Sequence, residues 1–284
     1  MEKDKFKAIW LSHSSMKDFL NCPRAYFYRN VYKNPKTNRK ITIMKPPLAL
    51  GSAVHAALDE LSILPSKERF TTPLEERFEK KWLTISGRRG GFASQKEEDE
   101  YKARGLEMIE RVSKHPGPLK NKTLKINETV PYYWFSETEN FILCGKIDWL
   151  EYIEETDSVH IIDFKTGRFD EKEDSLQLPI YYLVATNCQK RSVSKLSYWY
   201  IDRSNKPVEM KLPDVEKSKE KIMKIAERIK LARQLNHFKC AKDEKDGCVF
   251  CAPLKAVVEG KGQFVGLGDF REEIYILPDQ AVSL

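Results

Sequence analysis

Asp163-Phe164-Lys165 closes an apolar run and is followed by Thr166-Gly167. Val159, Ile161, Asp163 and Lys165 alternate with His160, Ile162 and Phe164, which is the period of a β-strand. Side chains two apart on a strand share a face, so a carboxylate and an ammonium project together. The preceding run, Phe141 to Tyr152, reads as a second strand, with Glu154-Glu155-Thr156-Asp157-Ser158 as the polar turn between them. A hairpin centred between Glu155 and Thr156 sets Asp148 opposite Asp163, with Cβ atoms about 5 Å apart. Two carboxylates at that distance repel. A hard cation such as Mg²⁺ or Mn²⁺ removes the conflict, because it prefers carboxylate oxygens and water. The chemistry this arrangement suits is metal-assisted cleavage of a phosphodiester. A register slipped by one residue would place the two acids on opposite faces. Asp163-x-Lys165 alone fits equally well a strand end followed by a solvated lysine, with Asp148 as an edge charge.

Further residues bear on the choice. Gln177 and Tyr181 are spaced i, i+4 on an expected helix after the Asp163 strand, so they share a face. They could orient Lys165, a water or a nucleic-acid strand, or be an ordinary surface glutamine and a half-buried tyrosine. His55 lies in Gly51-Ser52-Ala53-Val54-His55-Ala56-Ala57-Leu58. Its neutral imidazole could donate a nitrogen to Mn²⁺, although a lone histidine on a half-apolar helix is more often a satisfied core residue.

Several elements must position these groups. Ser12–Tyr32 reads as a helix capped by Ser14 or Ser15 and interrupted at Pro23. Residues 33–47 read as a loop, and 51–61 as a helix burying Val54, Leu58 and Leu61. Residues 66–115 are charge-rich and helix-like, with a flexible break at Gly87-Arg88-Arg89-Gly90-Gly91. Strands are expected at 125–135, 140–152 and 158–165, a helix at 174–186, and a strand pair at 195–203 and 207–212. A long helix follows at 213–236, and then an irregular tail, 237–284.

The chain has 284 residues, 41% hydrophobic and 11% aromatic, which suits a globular protein with a sizeable core. No apolar run approaches membrane-span length, and the first residues lack the apolar core of a signal peptide, so a cytoplasmic location is expected. Net charge is +7, unevenly spread. Lys17, Arg24, Arg29, Lys33, Lys36, Arg39, Lys40 and Lys45 face one acid, Asp18, with Phe19, Tyr26, Phe27, Tyr28 and Tyr32 interleaved. Such a segment can contact phosphates and stack on bases. It can equally be the buried stripe and wet face of one helix.

Taken in order, Gly51-Ser52-x-x-His55, Gly145-x-x-Asp148, Asp163-Phe164-Lys165-Thr166-Gly167 and Gln177-x-x-x-Tyr181 resemble the PD-(D/E)XK nuclease superfamily, over about residues 51–185. The set is most similar to its RecB/AddB-like branch and to CRISPR-associated exonucleases with the same core. The resemblance implies an α/β fold with a mixed central sheet flanked by helices, the restriction-endonuclease-like core. It implies His55, Asp148 and Asp163 as ligands of Mg²⁺ or Mn²⁺, with the Phe164 carbonyl as a fourth. Lys165 would position the attacking water and steady developing charge, and Gln177 and Tyr181 would match the branch's Q-x-x-x-Y element.

Several such relatives hold a 4Fe-4S cluster on one N-terminal and three C-terminal cysteines. Cys22, followed by Pro23, resembles their first ligand, and Cys240, Cys248 and Cys251 supply three more. Four thiolates suit such a cluster or zinc, and free thiols remain a third reading. The spacing departs from the relatives: their last cysteine follows the C-x-x-C, at a place falling here near Val257, whereas Cys240 precedes it. Cys144 and Cys188 read as core residues.

The expectation is one nuclease domain over residues 1–284, with a helical insertion at 62–124 and a cap made of 1–50 and 237–284 joined by a metal cluster. It would cut DNA, single-stranded or at ends, in recombination, repair or CRISPR adaptation, with a helicase or integrase as partner and no membrane. The rivals are a non-catalytic DNA-binding or scaffolding module, a nuclease for RNA or junctions, and an unrelated metalloprotein whose cysteines are the main site.

Overall fold

A computed structural model describes residues 4–126, 130–242 and 245–278. The chain divides into two compact units. The first contains the residues up to Ser12, Leu50–Thr84 and Asp99–Ile222; the second contains His13–Ala49, Ile85–Glu98 and the chain from Met223.

Two sheets build the first unit. In one, β1 (Ile9–Leu11) runs parallel to β4 (Phe141–Cys144), and β3 (Tyr132–Ser136) pairs antiparallel on β4's other side. In the other, the order is β5 (Trp149–Ile153), β6 (Ser158–Lys165), β7 (Ser192–Tyr200) and β8 (Val208–Met210). The β6–β7 pair is parallel and the outer pairs are antiparallel, so the sheet is mixed. Parallel neighbours need a crossover, and α6 (Gln177–Cys188) supplies it. Both faces of β6 are covered, so every residue from Ser158 to Phe164 is buried. One face, with Val159 and Ile161, joins Leu178 and Ala185 of α6 and Leu196 and Tyr198 of β7. The other carries Ile162 and Phe164 among the fully buried Trp149 and Trp199.

The expected strand 140–152 is two strands in two sheets, broken at residues 145–148. Apolar residues stand on both sides of the break, Phe141–Cys144 before it and Trp149 and Leu150 after it, so hydrophobicity alone hides it. Gly145 stands at the break, where a Cβ would lie 2.9 Å from the Tyr181 ring. The expected strand 125–135 is shorter, beginning at Tyr132, and includes residues 127–129, outside the described set. The turn region forms as a 3-10 turn at Glu154–Thr156 with Asp157 left-handed at φ 46°.

The expected 51–61 helix begins earlier, as α3 (Pro46–Ser62), because Pro46 and Pro47 suit a first helical turn. The 62–124 stretch holds α4 (Leu74–Trp82), a 3-10 turn at Gly87–Gly90 and α5 (Gln95–Lys114).

In the second unit, α1 (His13–Asn21) stops at Cys22, and α2 (Pro23–Tyr26) restarts with Pro23 in its first turn, continuing into a π-turn at Phe27–Val31. The tail expected to be irregular carries α8 (Ala252–Val258), β9 (Gln263–Leu267) and β10 (Glu273–Ile276) after α7 (Val215–Gln234). β10 pairs parallel with β2 (Ile41–Ile43) and antiparallel with β9. Residues 243–244 and 279–284 of that tail lie outside the described set. Phe19 and Tyr26 are buried, and Phe27, Tyr28 and Tyr32 pack on one another, with Phe27 also against Phe238. These contacts favour the packing reading of the aromatic segment over a base-stacking one. Among the described residues no helix is long and apolar enough to cross a membrane.

Candidate nuclease site

Register positions the acids. β5 and β6 pair Trp149 with Ile162 and Ile153 with Ser158, the hairpin register expected from the sequence. Carried one residue further, it sets Asp148, just before β5, opposite Asp163. Asp148 Oδ2 accepts a hydrogen bond from the Phe164 backbone N–H at 2.9 Å, and Oδ1 lies 3.2 Å from His55 Nδ1 on α3. Helix α3 can bring His55 here partly because Gly51, one turn earlier, has no side chain: a Cβ would stand 3.2 Å from Thr166 Oγ1.

Asp163 and Lys165 end β6 on one face. Lys165 Nζ lies 2.9 Å from Asp163 Oδ2 and 3.4 Å from Glu171 Oε2. It also donates to Gln177 Oε1 and sits 5.0 Å from the centre of the Tyr198 ring. Gln177 Nε2 donates to Asp163 Oδ1 at 2.9 Å and to the Tyr181 hydroxyl at 3.2 Å. One amide therefore accepts from the lysine and donates to the carboxylate, which holds Asp163 and Lys165 in a fixed relation. All of these residues belong to the first unit.

The protonation behaviour follows from this crowding. Burial, then the nearby Asp148 carboxylate, push Asp163 up to about 7 against the opposing pull of Lys165. Burial would raise Asp148 too, but His55 and the Phe164 amide outweigh it and hold its carboxyl below the usual range. Burial pulls Lys165 down, yet Asp163 and Glu171 more than reverse it. His55 is likewise raised, because Asp148 outweighs burial. Two buried acids thus sit with their affinities for protons pushed apart, a mark of functional sites.

A model of the PD-(D/E)XK nuclease superfamily matches residues 10–255. The chain belongs to the PD-(D/E)XK nuclease superfamily. No curated protein matches it. The superfamily is one of metal-dependent nucleases, and the donor set fits such an ion. Asp163 Oδ2 is buried and has the lysine at ion-pair distance but no well-aligned hydrogen bond. An orphaned carboxylate oxygen beside a second carboxylate suits a hard divalent cation. A cleft of about 540 Å³ opens at Asp148, lined also by Lys81, Lys125, Lys146 and Trp149.

The superfamily motifs thus gather His55, Asp148, Asp163, Lys165, Gln177 and Tyr181 in one cluster. Phe164 contributes differently from its side chain: the ring is buried, 6.0 Å from that of Trp199, and the backbone does the polar work. Glu171 was not foreseen. It lies in the acidic run Asp170-Glu171-Lys172-Glu173-Asp174, where nothing in the sequence separates it from its neighbours.

Cys22, Cys240, Cys248 and Cys251 form a second centre, in the second unit. All four are buried, and their sulfurs lie within 4.8 Å of one another, a group able to bind a metal. Cys144 and Cys188 stand apart and donate to the Leu11 and Tyr132 carbonyls.

Proposed function

We propose that this chain is a divalent-metal-dependent DNA exonuclease of the RecB/AddB-like branch, acting on single strands or DNA ends. The observation that carries the reading is that Asp148, just before β5, accepts from the Phe164 amide and meets His55, while Asp163 meets Lys165 on the same strand end. His55, Asp148 and Asp163 would hold Mg²⁺ or Mn²⁺. The Phe164 carbonyl would join them, because the N–H and C=O of one strand residue point to the same edge, and the N–H meets Asp148. When bound, such an ion supplies Lewis-acid polarisation of the scissile phosphate and activation of water.

The chain's own groups do the rest. Lys165 carries its positive charge to the phosphate and offsets the negative charge that grows as the bond breaks. Gln177 keeps Lys165 and Asp163 at fixed separation, and Tyr181 fixes Gln177. Lys125 lines the cleft at Asp148 and suits a phosphate backbone, while Lys81 and Lys146, also in its lining, are paired with Glu60 and Asp59.

In this reading residues 1–284 form one nuclease domain, with 62–124 a helical insertion and 1–50 and 237–284 a cap joined through the four cysteines. Its setting is cytoplasmic DNA-end processing in recombination, repair or CRISPR adaptation, with a helicase or integrase alongside. The test is incubation of end-labelled single- and double-stranded DNA with Mg²⁺, Mn²⁺ or EDTA. Stepwise loss of label from ends, blocked by EDTA, is expected. DNA retained but uncut with either metal would establish the binding-module alternative instead.

A further inference from the structure

We propose that Cys22, Cys240, Cys248 and Cys251 hold a single tetrahedrally coordinated zinc ion rather than the 4Fe-4S cluster that the resemblance to iron–sulfur nucleases implies. Size separates the two. Zinc–thiolate bonds of about 2.3 Å place the four sulfurs of a tetrahedral site on edges of about 3.8 Å. Here Cys248 Sγ lies 3.8 Å from Cys251 Sγ, and Cys251 Sγ lies 3.7 Å from Cys240 Sγ. No pair among the four exceeds 4.8 Å. In a cube, each thiolate caps its own iron, and four irons and four sulfides stand between the sulfurs, which must spread onto a much wider tetrahedron. The space between these four sulfurs takes one atom.

The surroundings resist such spreading. Cys22, Cys240, Cys248 and Cys251 are at most 4% exposed, packed among Ala25, Ile41 and Leu254. Gly247, at φ +94°, presses against the centre: a Cβ there would stand 2.7 Å from Cys251 Sγ and 3.1 Å from the Ala252 nitrogen. Backbone amides already point at the sulfurs, those of Lys242 and Cys248 at Cys240 and those of Ala241 and Ala25 at Cys22. These N–H groups favour thiolates, the form that binds metal. The departure in sequence agrees: Cys240 stands eight residues before Cys248, on the far side of the C-x-x-C from where the iron–sulfur relatives keep their last ligand.

A site of this kind is closed, with four protein ligands and no open position, so its role is to hold residue 22 to residues 240–251. The proposal is independent of the nuclease reading, and its test does not use activity. The full-length protein is purified anaerobically from cells supplied with both iron and zinc. Metal content, acid-labile sulfide and the visible spectrum are then measured. One zinc per chain, no sulfide and a colourless solution are expected. Exchange into Co²⁺ is expected to give the intense ligand-field bands of tetrahedral cobalt thiolate. Iron and sulfide in equal amounts with a brown colour would overturn the proposal, and so would a metal-free protein whose four thiols all react. Asp163→Asn, which leaves the cysteines untouched, is expected to carry the same zinc; zinc loss there would show that the ion is bound at the acidic cluster, against the proposal.

Discussion

The Phe164 backbone N–H donates to Asp148 Oδ2, so the first carboxylate of the site is tied to the peptide unit between the second carboxylate and the lysine. A single register between β5 and β6 therefore sets the positions of Asp148, Asp163 and Lys165 together. This shared anchoring is why the site's members are expected to fail as a group.

Asp148→Asn, Asp163→Asn and Lys165→Ala are each expected to lower cleavage by at least about 1000-fold, with DNA binding retained. Double variants should lose little more than single ones, because the groups act on one phosphate. Rates on end-labelled DNA check this, and undiminished digestion by Asp163→Asn would end the assignment.

Glu171→Gln removes one of the two carboxylates beside Lys165. Cleavage is expected to fall by about tenfold, the usual effect of loosening a group that orients another. Gln177→Ala should be worse, since both Lys165 and Asp163 lose a partner. The measurement is kcat as a function of pH; a purely structural role for Glu171 would leave the profile's shape unchanged.

The raised Asp163 carboxyl makes metal binding pH-dependent. Below about 7 the metal-free site holds a proton that a divalent ion must displace. Apparent Mn²⁺ affinity is expected to weaken by up to about tenfold per pH unit below that point and to level off above it. Folding responds in the opposite direction without metal. The folded state binds this proton more tightly than the unfolded chain does, so stability is lost as pH rises from 3.8 to about 7. Calorimetric titration with Mn²⁺ across that range, and melting curves with EDTA, read the two effects separately.

Gly145→Ala would drive a methyl group to 2.9 Å from the Tyr181 ring. Either the ring or the β4–β5 connection must move, at a cost of about 1–3 kcal/mol, and Gln177 loses its support. Lower denaturation midpoint and lower activity are expected together, with DNA retention unaffected.

The opposite face of the sheet carries a polar chain that is structural. His160 Nε2 lies 2.7 Å from Ser197 Oγ, and Nδ1 lies 2.7 Å from Glu151 Oε2, which belongs to a carboxylate that also accepts from Asn121 at 2.6 Å. The order of groups resembles a nucleophile relay, but Ser197 is 1% exposed and no substrate reaches it. Ser197→Ala is expected to lower stability by about 1–3 kcal/mol and to leave cleavage per folded molecule unchanged. Parallel melting and activity measurements check this.

Much of the site is legible in the chain. The alternation from Val159 to Lys165 shows which side chains share a face, and the turn at 154–158 sets the register that aligns Asp148 with Asp163. Period and turn chemistry are local properties, and local interactions decide them. The break at Gly145 was not legible, because an apolar run says that a strand is buried without naming its partner. Glu171 was hidden for a related reason. Five charged residues in a row look alike until one of them is brought to Lys165.

The sequence by itself determined the identity of the candidate groups: two acids, an imidazole and an amine in one ordered motif set, and four thiols at positions 22, 240, 248 and 251. Tertiary structure alone decided their separations. The gathering of Cys22 with Cys240, Cys248 and Cys251 within 4.8 Å and the 3.2 Å between His55 and Asp148 arise from packing among residues far apart in the chain. Those distances choose which ion can fit, because a metal site is selected by size and geometry once its ligands are given.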